Sequence, residues 1–211
     1  FAAPEFSLTP KHWCFPVAGC VSYRGYFSKD DAMKESERLS EDGFDVAVGG
    51  VAAYSTLGNF SDPILSTMMR WDDIDLIAVL FHELAHQQLY VEGDTAFNES
   101  FATVVEIAVV SRLRAAEGRA EEIPALEQSQ ELERKFTELL LSFRGQLVEA
   151  FETDASDEEK RLRKRELYDA LPSLYEDAKR DWGGDARYDR WFSRPLNNAH
   201  LAAVSNYHTW V

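Results

Sequence analysis

Basic residues are scarce in this 211-residue chain, which has 22 Lys and Arg against 37 Asp and Glu. The net charge of −15 argues against nucleic acids and anionic membranes as partners, because phosphate groups are bound by clusters of basic side chains. Long apolar runs are also missing, since no stretch approaches the roughly 18 apolar residues that a membrane-spanning helix needs. We therefore expect no nucleic-acid partner and no membrane contact from this segment.

The chain also lacks an initiating Met and an N-terminal signal segment, and it stops at Tyr207 to Val211 within a helical pattern that has no cap. These absences predict a piece of a longer protein whose targeting signals lie elsewhere. A length of 211 residues with 45% hydrophobic content predicts one main core with a smaller appendage.

Cysteine is rare as well. Cys14 and Cys20 enclose five residues, a spacing too wide for a C-x-x-C redox or zinc motif. It is compatible with a small disulfide loop in an oxidising compartment, and equally with two free thiols in a core. The sequence leaves both alternatives open.

An H-E-x-x-H pattern stands within an apolar, helix-forming run from Ile74 to Leu89. Residues four apart share one helical face, so His82 and His86 present two imidazoles one turn apart, which is half of a zinc site. Glu83, beside the first ligand, is placed to act as the base for a metal-bound water. Burying these groups in an apolar helix is costly unless they are paired or bind a metal, which favours a zinc site over core histidines.

A catalytic zinc takes three protein ligands and keeps a fourth position for water, so one ligand must come from outside this helix. Glu99 and Glu106 compete for the role. In an antiparallel helix pair, Glu99 lies level with about residue 87 and Glu106 with about residue 80, on either side of the two imidazoles. Because they are seven residues apart, both face the same way, and helix geometry alone does not decide between them.

Hydrophobic periodicity and turn residues predict an α+β fold that is predominantly helical. The predicted helices cover residues 32–39, 74–89, 96–116, 123–151 and 156–182, with a last helix that contains Tyr207 and His208; the predicted strands cover 17–27 and 44–54. Gly49 and Gly50 indicate either a bulge in the second strand or a place where another backbone approaches closely. The predicted N-caps are Ser28, Asp72, Asp94 or Thr95, and Ser156. Helices 123–151 and 156–182 are expected to form a long antiparallel hairpin.

His82 to Gln87, followed by Asn98 to Ala102, resembles the gluzincin zinc peptidases, especially aminopeptidases whose third ligand is the Glu of an N-E-G-F-A stretch. The resemblance to a bacterial putative aminopeptidase family with predicted zinc dependence spans nearly the whole chain. It is carried by the segments Trp13–Pro16, Tyr23–Phe27, Ala53–Gly58 and Gly93–Ala102.

This resemblance implies that Glu99 is the third ligand, that Glu83 is the base, and that Glu106 is a carboxylate outside the ligand set. It implies a gluzincin-like core with a small sheet over the two ligand helices. We accordingly expect a zinc-peptidase core in 1–118, a helical hairpin in 119–184, and a C-terminal helix in 185–211 that packs back on the core. It also implies a bacterial cell-envelope or periplasmic location, with a lipoprotein-type signal and further helical sequence outside this chain.

Two features depart from the gluzincin pattern. The connection from second His to ligand Glu is shorter than in those families, with 12 residues between His86 and Glu99, so the turn must be tight. The G-A-M-E-N strand, whose Glu binds the substrate amino group, has no counterpart in Gly49–Ala53. Any amine-binding acid must come from elsewhere, with Asp94 and Glu92 as the nearest candidates and helix capping or solvent exposure as their simpler roles.

The sequence therefore predicts a zinc-dependent peptidase, preferably an aminopeptidase, that acts on peptides. The transition-state oxyanion needs a donor besides the metal. Tyr54, Tyr207, His200 and Arg24 are candidates, and Tyr54 comes first because it follows the Gly-rich strand that would pair with an extended substrate. The alternatives are an endopeptidase of the same fold, a metal-dependent hydrolase of another bond, and a non-catalytic zinc-containing binding or assembly module.

Overall fold

The computed structural model describes residues 1–15, 19–50, 73–92 and 94–207. It confirms an α+β fold that is mostly helical, with two small antiparallel sheets. The strands are β1 (Ala2–Pro4), β2 (Trp13–Phe15), β3 (Gly19–Val21) and β4 (Phe44–Val46). The helices are α1 (Lys29–Glu41), α2 (Asp73–Gln88), α3 (Thr95–Ala116), α4 (Ile123–Phe151), α5 (Asp157–Asp181), α6 (Asp189–Phe192) and α7 (Asn198–Tyr207).

The predicted helix starts agree with the structure where both can be compared. Ser28, Asp94 and Ser156 are N-caps whose side chains accept backbone N–H groups of the first turn. Ser156 and Glu159 form the predicted capping box. Polar caps and 3.6-residue periodicity are local signals, which explains why these boundaries could be predicted. The predicted cap Asp72 lies outside the described residues.

The predicted strands are longer than those observed. Within 17–27 the described strand is Gly19–Val21, and Tyr23 and Phe27 lie outside it with exposed rings. The strand predicted over 44–54 ends at Val46, so Gly49 and Gly50 form no bulge, and residues 51–54 lie outside the described part. Alternating aromatic and β-branched residues indicate a strand only where a partner strand covers them, and each described sheet has two short strands.

The two sheets have different strand partners. β1 pairs with β4, so that Ala2 lies opposite Val46. β2 pairs with β3 and places Cys14 directly opposite Cys20, and the two form a disulfide. The structure thus selects the disulfide over free core thiols.

The chain folds into two compact units, one formed by Phe1–Val48 with Arg134–Ser205 and the other by Gly49–Glu133 with Asn206–Val211. Their boundaries differ from the segments 1–118, 119–184 and 185–211, which stay a prediction of domain organisation. Strands β1 to β4 belong to the first unit and helices α2 and α3 to the second. The predicted sheet over the two ligand helices likewise stays a prediction.

The core of the first unit is the predicted helical hairpin. Phe143 of α4 meets Tyr168 of α5 edge to face, and farther from the connecting loop Phe136 and Tyr175 both pack on Phe192 of α6. These pairs show that α4 and α5 run in opposite directions. The buried members of this core are Leu8, Phe136, Leu140, Phe143, Leu147, Phe151, Leu167, Leu171, Tyr175, Phe192, Leu201 and Val204.

Polar side chains attach α5 and α7 to the N-terminal segment in the same unit. The fully buried Asn198 donates through Nδ2 to carbonyl oxygens within residues 4–7 and through its backbone N–H to Asp45. Lys164 Nζ donates to the same Asp45 carboxylate at 2.7 Å. A buried amide with all these partners is stabilising, whereas an unpaired one would be costly.

Candidate metal centre

Helices α2 and α3 pack along each other in the second unit. Contacts from His82 and His86 to residues of α3 show that the pair is antiparallel. Ala85 and Ala102 are buried within it, and such small side chains let two helices approach closely. The polar ligand residues therefore face each other across a narrow gap.

The side chain of Asn98 holds the turn between these helices, a role that no local sequence pattern predicts. Asn98 is almost fully buried, and its amide makes two hydrogen bonds to the backbone of one residue. Oδ1 accepts the N–H of Val91 at 2.8 Å, and Nδ2 donates to the Val91 carbonyl at 2.8 Å. Together with the Asp94 cap, this clamp closes the connection and shows how 12 intervening residues suffice to bring Glu99 back to His86.

The three predicted ligands come together in this helix pair. One carboxylate oxygen of Glu99 lies 3.3 Å from Nε2 of His82, and the other lies 3.8 Å from Nε2 of His86. The His86 side chain is buried, while those of His82 and Glu99 remain about one-fifth exposed. The group is thus buried at His86 and partly open to solvent at His82 and Glu99.

Glu106 contacts the opposite nitrogen of the first histidine. Its carboxylate lies 3.2 Å from Nδ1 of His82, so the imidazole is held between two carboxylates. Burial lowers the pKa of His82, but the hydrogen bonds to Glu106 and Glu99 outweigh it and raise the pKa to about 9. The two glutamates therefore have different positions. Glu99 lies close to Nε2 of both histidines, whereas Glu106 lies close to Nδ1 of His82.

The donor set fits a zinc ion. Ligand atoms from His82, His86 and Glu99 lie within 4.8 Å of one another. Donors about 2.0–2.1 Å from a tetrahedral zinc are separated by roughly 3.4 Å, close to the 3.3 and 3.8 Å found here. Imidazole nitrogen and carboxylate oxygen are both donors that zinc accepts. Within the described residues these three side chains can therefore hold a metal after small adjustments.

Glu83 lies on the same turn of α2 as His82 and is half-buried. The half-buried side chain keeps partial access to solvent. This placement is compatible with the role predicted for Glu83 as a base.

The predicted oxyanion donors are not brought to this helix pair in the described residues. Tyr54 lies outside them, and the side chain of Tyr207 is not described. His200 and Arg24 belong to the first unit, where His200 contacts the Asn197 side chain and Arg24 forms an ion pair with Glu35.

The two acids suggested for amine binding differ in their surroundings. Asp94 is the N-cap of α3, where Oδ1 accepts the N–H of Phe97 at 3.0 Å, whereas Glu92 is exposed on the turn. A second unpredicted residue is Tyr90, whose half-exposed ring meets the edge of His86 with centroids 6.4 Å apart. Its position four residues after His86 is the sequence signal that indicates a shared face.

A family model described as Putative aminopeptidase matches residues 1–211. The chain belongs to the putative aminopeptidase family. Comparisons of this putative aminopeptidase with curated proteins and with solved structures found no match. The family suggests a peptidase that acts on peptide substrates. Among the helices of the described residues, none is long and apolar enough to cross a membrane.

Proposed function

We propose that this chain is a zinc-dependent peptidase of the gluzincin type, with His82, His86 and Glu99 as the metal ligands. The observation that carries the proposal is the convergence of two Nε2 atoms on the two oxygens of one carboxylate. Family membership supports a peptide as the substrate. Zinc bound to these residues would polarise the scissile carbonyl and make a water molecule more acidic.

The remaining chemistry is assigned to Glu83. Its carboxylate accepts a proton from the water as the water oxygen bonds to the peptide carbonyl carbon. When the carbon–nitrogen bond breaks, Glu83 returns that proton to the departing amine nitrogen. The half-buried side chain lies on α2 next to a ligand, which suits a group that must reach both the water and the leaving group.

Two phenols are candidates for stabilising the developing oxyanion. Tyr54 is the sequence-based candidate, and Tyr90 is favoured by its ring contact with His86. Conversion of each to Phe removes only the hydroxyl, and the variant that lowers kcat by about 10²-fold or more identifies the donor. A pair of variants with unchanged kcat would exclude both.

An aminopeptidase is preferred over an endopeptidase because of the family. Of the two acids suggested for amine binding, Glu92 is the better candidate to pair with a substrate ammonium, because the carboxylate of Asp94 caps α3. The test compares hydrolysis of one short peptide with a free and with an acetylated N-terminus. An aminopeptidase cleaves the free form alone, and equal rates for both would instead favour an endopeptidase.

Metal dependence tests the proposal as a whole. Removal of metal by a chelator should abolish peptide hydrolysis, and one equivalent of zinc should restore it. A non-catalytic zinc module is the rival function, and it predicts tight zinc binding with no hydrolysis of any peptide in a mixed library.

We also propose a location in the bacterial cell envelope. The Cys14–Cys20 disulfide supports an oxidising compartment, because such bonds seldom persist in a reducing cytosol. Alkylation of cells without reductant, followed by mass spectrometry of the natural protein, should find both thiols protected. Full alkylation would contradict this location.

A further inference from the structure

We propose that Glu106 is a positioning residue for the metal ligand His82. Its carboxylate accepts a hydrogen bond from Nδ1–H and thereby holds the imidazole with Nε2 directed toward Glu99. The inference rests on the proposed function in one respect, because the orientation matters when a metal is bound between these groups.

A metal bound at Nε2 assigns one tautomer to the His82 ring, with its N–H on Nδ1. Nδ1 of His82 lies 3.2 Å from Glu106, and Nε2 lies 3.3 Å from Glu99. A neutral imidazole has one N–H and one lone pair. With the N–H given to Glu106, the lone pair on Nε2 faces the ligand group, which is the arrangement that metal-binding histidines commonly have.

Burial does not force the Glu106 side chain into contact with His82. Its side chain is about one-third exposed, so the carboxylate has access to water. A glutamate in a merely solvating role has no reason to turn toward a half-buried ring. Its seven-residue spacing from Glu99 places both carboxylates on one face of α3, on either side of the imidazole.

The two histidines are held in different ways. The His86 ring is nearly fully buried, and its Nδ1 atom has no hydrogen-bond partner among the described residues. Packing therefore fixes His86 within this part of the chain. The more exposed His82 ring has less packing to fix it and depends on the carboxylate of Glu106.

The test measures zinc affinity by competition with a chromophoric chelator for the wild type, Glu106→Ala and Glu106→Gln. Loss of the acceptor in the Ala variant should weaken zinc binding by about 10–100-fold. Glu106→Gln keeps a carbonyl oxygen that can accept Nδ1–H, so it should bind zinc more tightly than the Ala variant. Glu117→Gln, at the end of the same helix in an ion pair with Arg114, is the matched control and should bind zinc like the wild type.

Two further readouts separate positioning from a structural role. Nitrogen NMR of the zinc-loaded protein should show a protected Nδ1–H on His82 in the wild type and a rapidly exchanging one in Glu106→Ala. Urea unfolding of the zinc-free proteins gives the change in the free energy of unfolding. In Glu106→Ala this change should be smaller than the loss in the free energy of zinc binding. Zinc affinity within twofold of wild type in Glu106→Ala, or an unprotected Nδ1–H in the wild type, would overturn the inference.

These outcomes are distinct from failure of the proposed function. A wild-type protein that binds zinc through a Glu106-dependent His82 but hydrolyses no peptide would leave this inference standing and reject the peptidase. An active peptidase whose zinc affinity does not respond to Glu106 would reject the inference alone. A wild type that binds no zinc would reject both.

Discussion

Three glutamates on two helices have different surroundings, and this difference is the basis of the different roles that we propose for them. Glu99 lies between two imidazoles, Glu106 lies behind one of them, and Glu83 is half-buried beside the first. The residue type is the same in each case. The role follows from the nitrogen or the solvent that each carboxylate meets.

Glu83→Gln should abolish hydrolysis while zinc remains bound, because the amide is nearly isosteric but cannot accept the proton. We expect a fall in kcat of about 10²-fold or more, the scale of general-base catalysis. Steady-state kinetics and zinc analysis of the same sample provide the measurement. Loss of zinc from this variant would instead show that Glu83 belongs to the ligand set.

Glu99→Ala should lose zinc to a far greater extent than Glu106→Ala, since only Glu99 approaches both histidines. Competitive chelation gives the two dissociation constants under one condition. Equal affinities in the two variants, or a weaker site in Glu106→Ala, would move the ligand role to Glu106.

The sequence predicts the two histidine ligands, because a spacing of four residues on a helix is a local signal. Family resemblance, rather than helix geometry, favours Glu99 over Glu106. Asn98 could not be predicted as a clamp, because its partner Val91 depends on the path of the turn. Tyr54 stays a prediction, since it lies outside the described residues.

At the scale of elements, the connection between α2 and α3 determines whether the ligands meet. Asn98→Ala removes two hydrogen bonds made by a buried amide. It leaves the Val91 N–H without this acceptor, while the Val91 carbonyl keeps the N–H of Asp94. We expect a loss of about 1–3 kcal/mol in the free energy of unfolding and weaker zinc binding. Chemical denaturation and chelator competition measure the two effects. Val104→Ala, on an exposed position of α3, is the control and should change neither.

Helix α7 carries a histidine, His200, that we expect to make the stability of the fold depend on pH. Burial and the nearby positive charge of Arg194 lower the pKa of His200 from 6.5 to about 4. As the pH falls from about 6.5 to about 4, the unfolded chain takes up a proton that the folded chain does not, so stability is lost over this range. The loss is at most about 3 kcal/mol.

Urea unfolding of the wild type and of His200→Gln at pH 7.5 and pH 4.5 tests this expectation. The variant should lose less stability than the wild type between these values, because it has no imidazole to protonate. The same loss in both proteins would show that other groups cause the acid sensitivity.

The helices were predictable because periodicity and caps are encoded within each segment. Strands depend on partners, and the described strands of three residues are shorter than the apolar alternation around Tyr23 and Tyr26 predicts. Pairing of β1 with β4 joins residues that are 40 to 44 positions apart. No local pattern contains that information.

Across the whole molecule, the negative charge is unevenly distributed. Residues 49–133 contain 4 Lys and Arg and 15 Asp and Glu, which gives −11 of the total of −15. These residues include the candidate metal centre. The unit that carries the site is therefore surrounded by a field that attracts cationic peptides and repels acidic ones.

We expect kcat/KM for a Lys-rich peptide to fall several-fold as the ionic strength rises from about 0.01 to 0.15 M, because the Debye length shortens from about 30 Å to about 8 Å. An Asp-rich peptide of the same length should show the opposite trend, and a neutral peptide should show little change. Initial rates at several salt concentrations give the measurement. Parallel salt dependence for all three peptides would rule out steering by this charge.

The short turn clamped by Asn98 also affects when the site can form. His82, His86, Glu99 and Glu106 all fall within residues 82–106. Closing so short a loop costs little chain entropy, and contacts close in sequence form early in folding. Because metal binding adds its free energy to the folding of the segment that supplies the ligands, zinc would stabilise this helix pair directly. The proposed ligands all come from this segment, so zinc should stabilise the helix pair without any ligand from the C-terminal half of the chain.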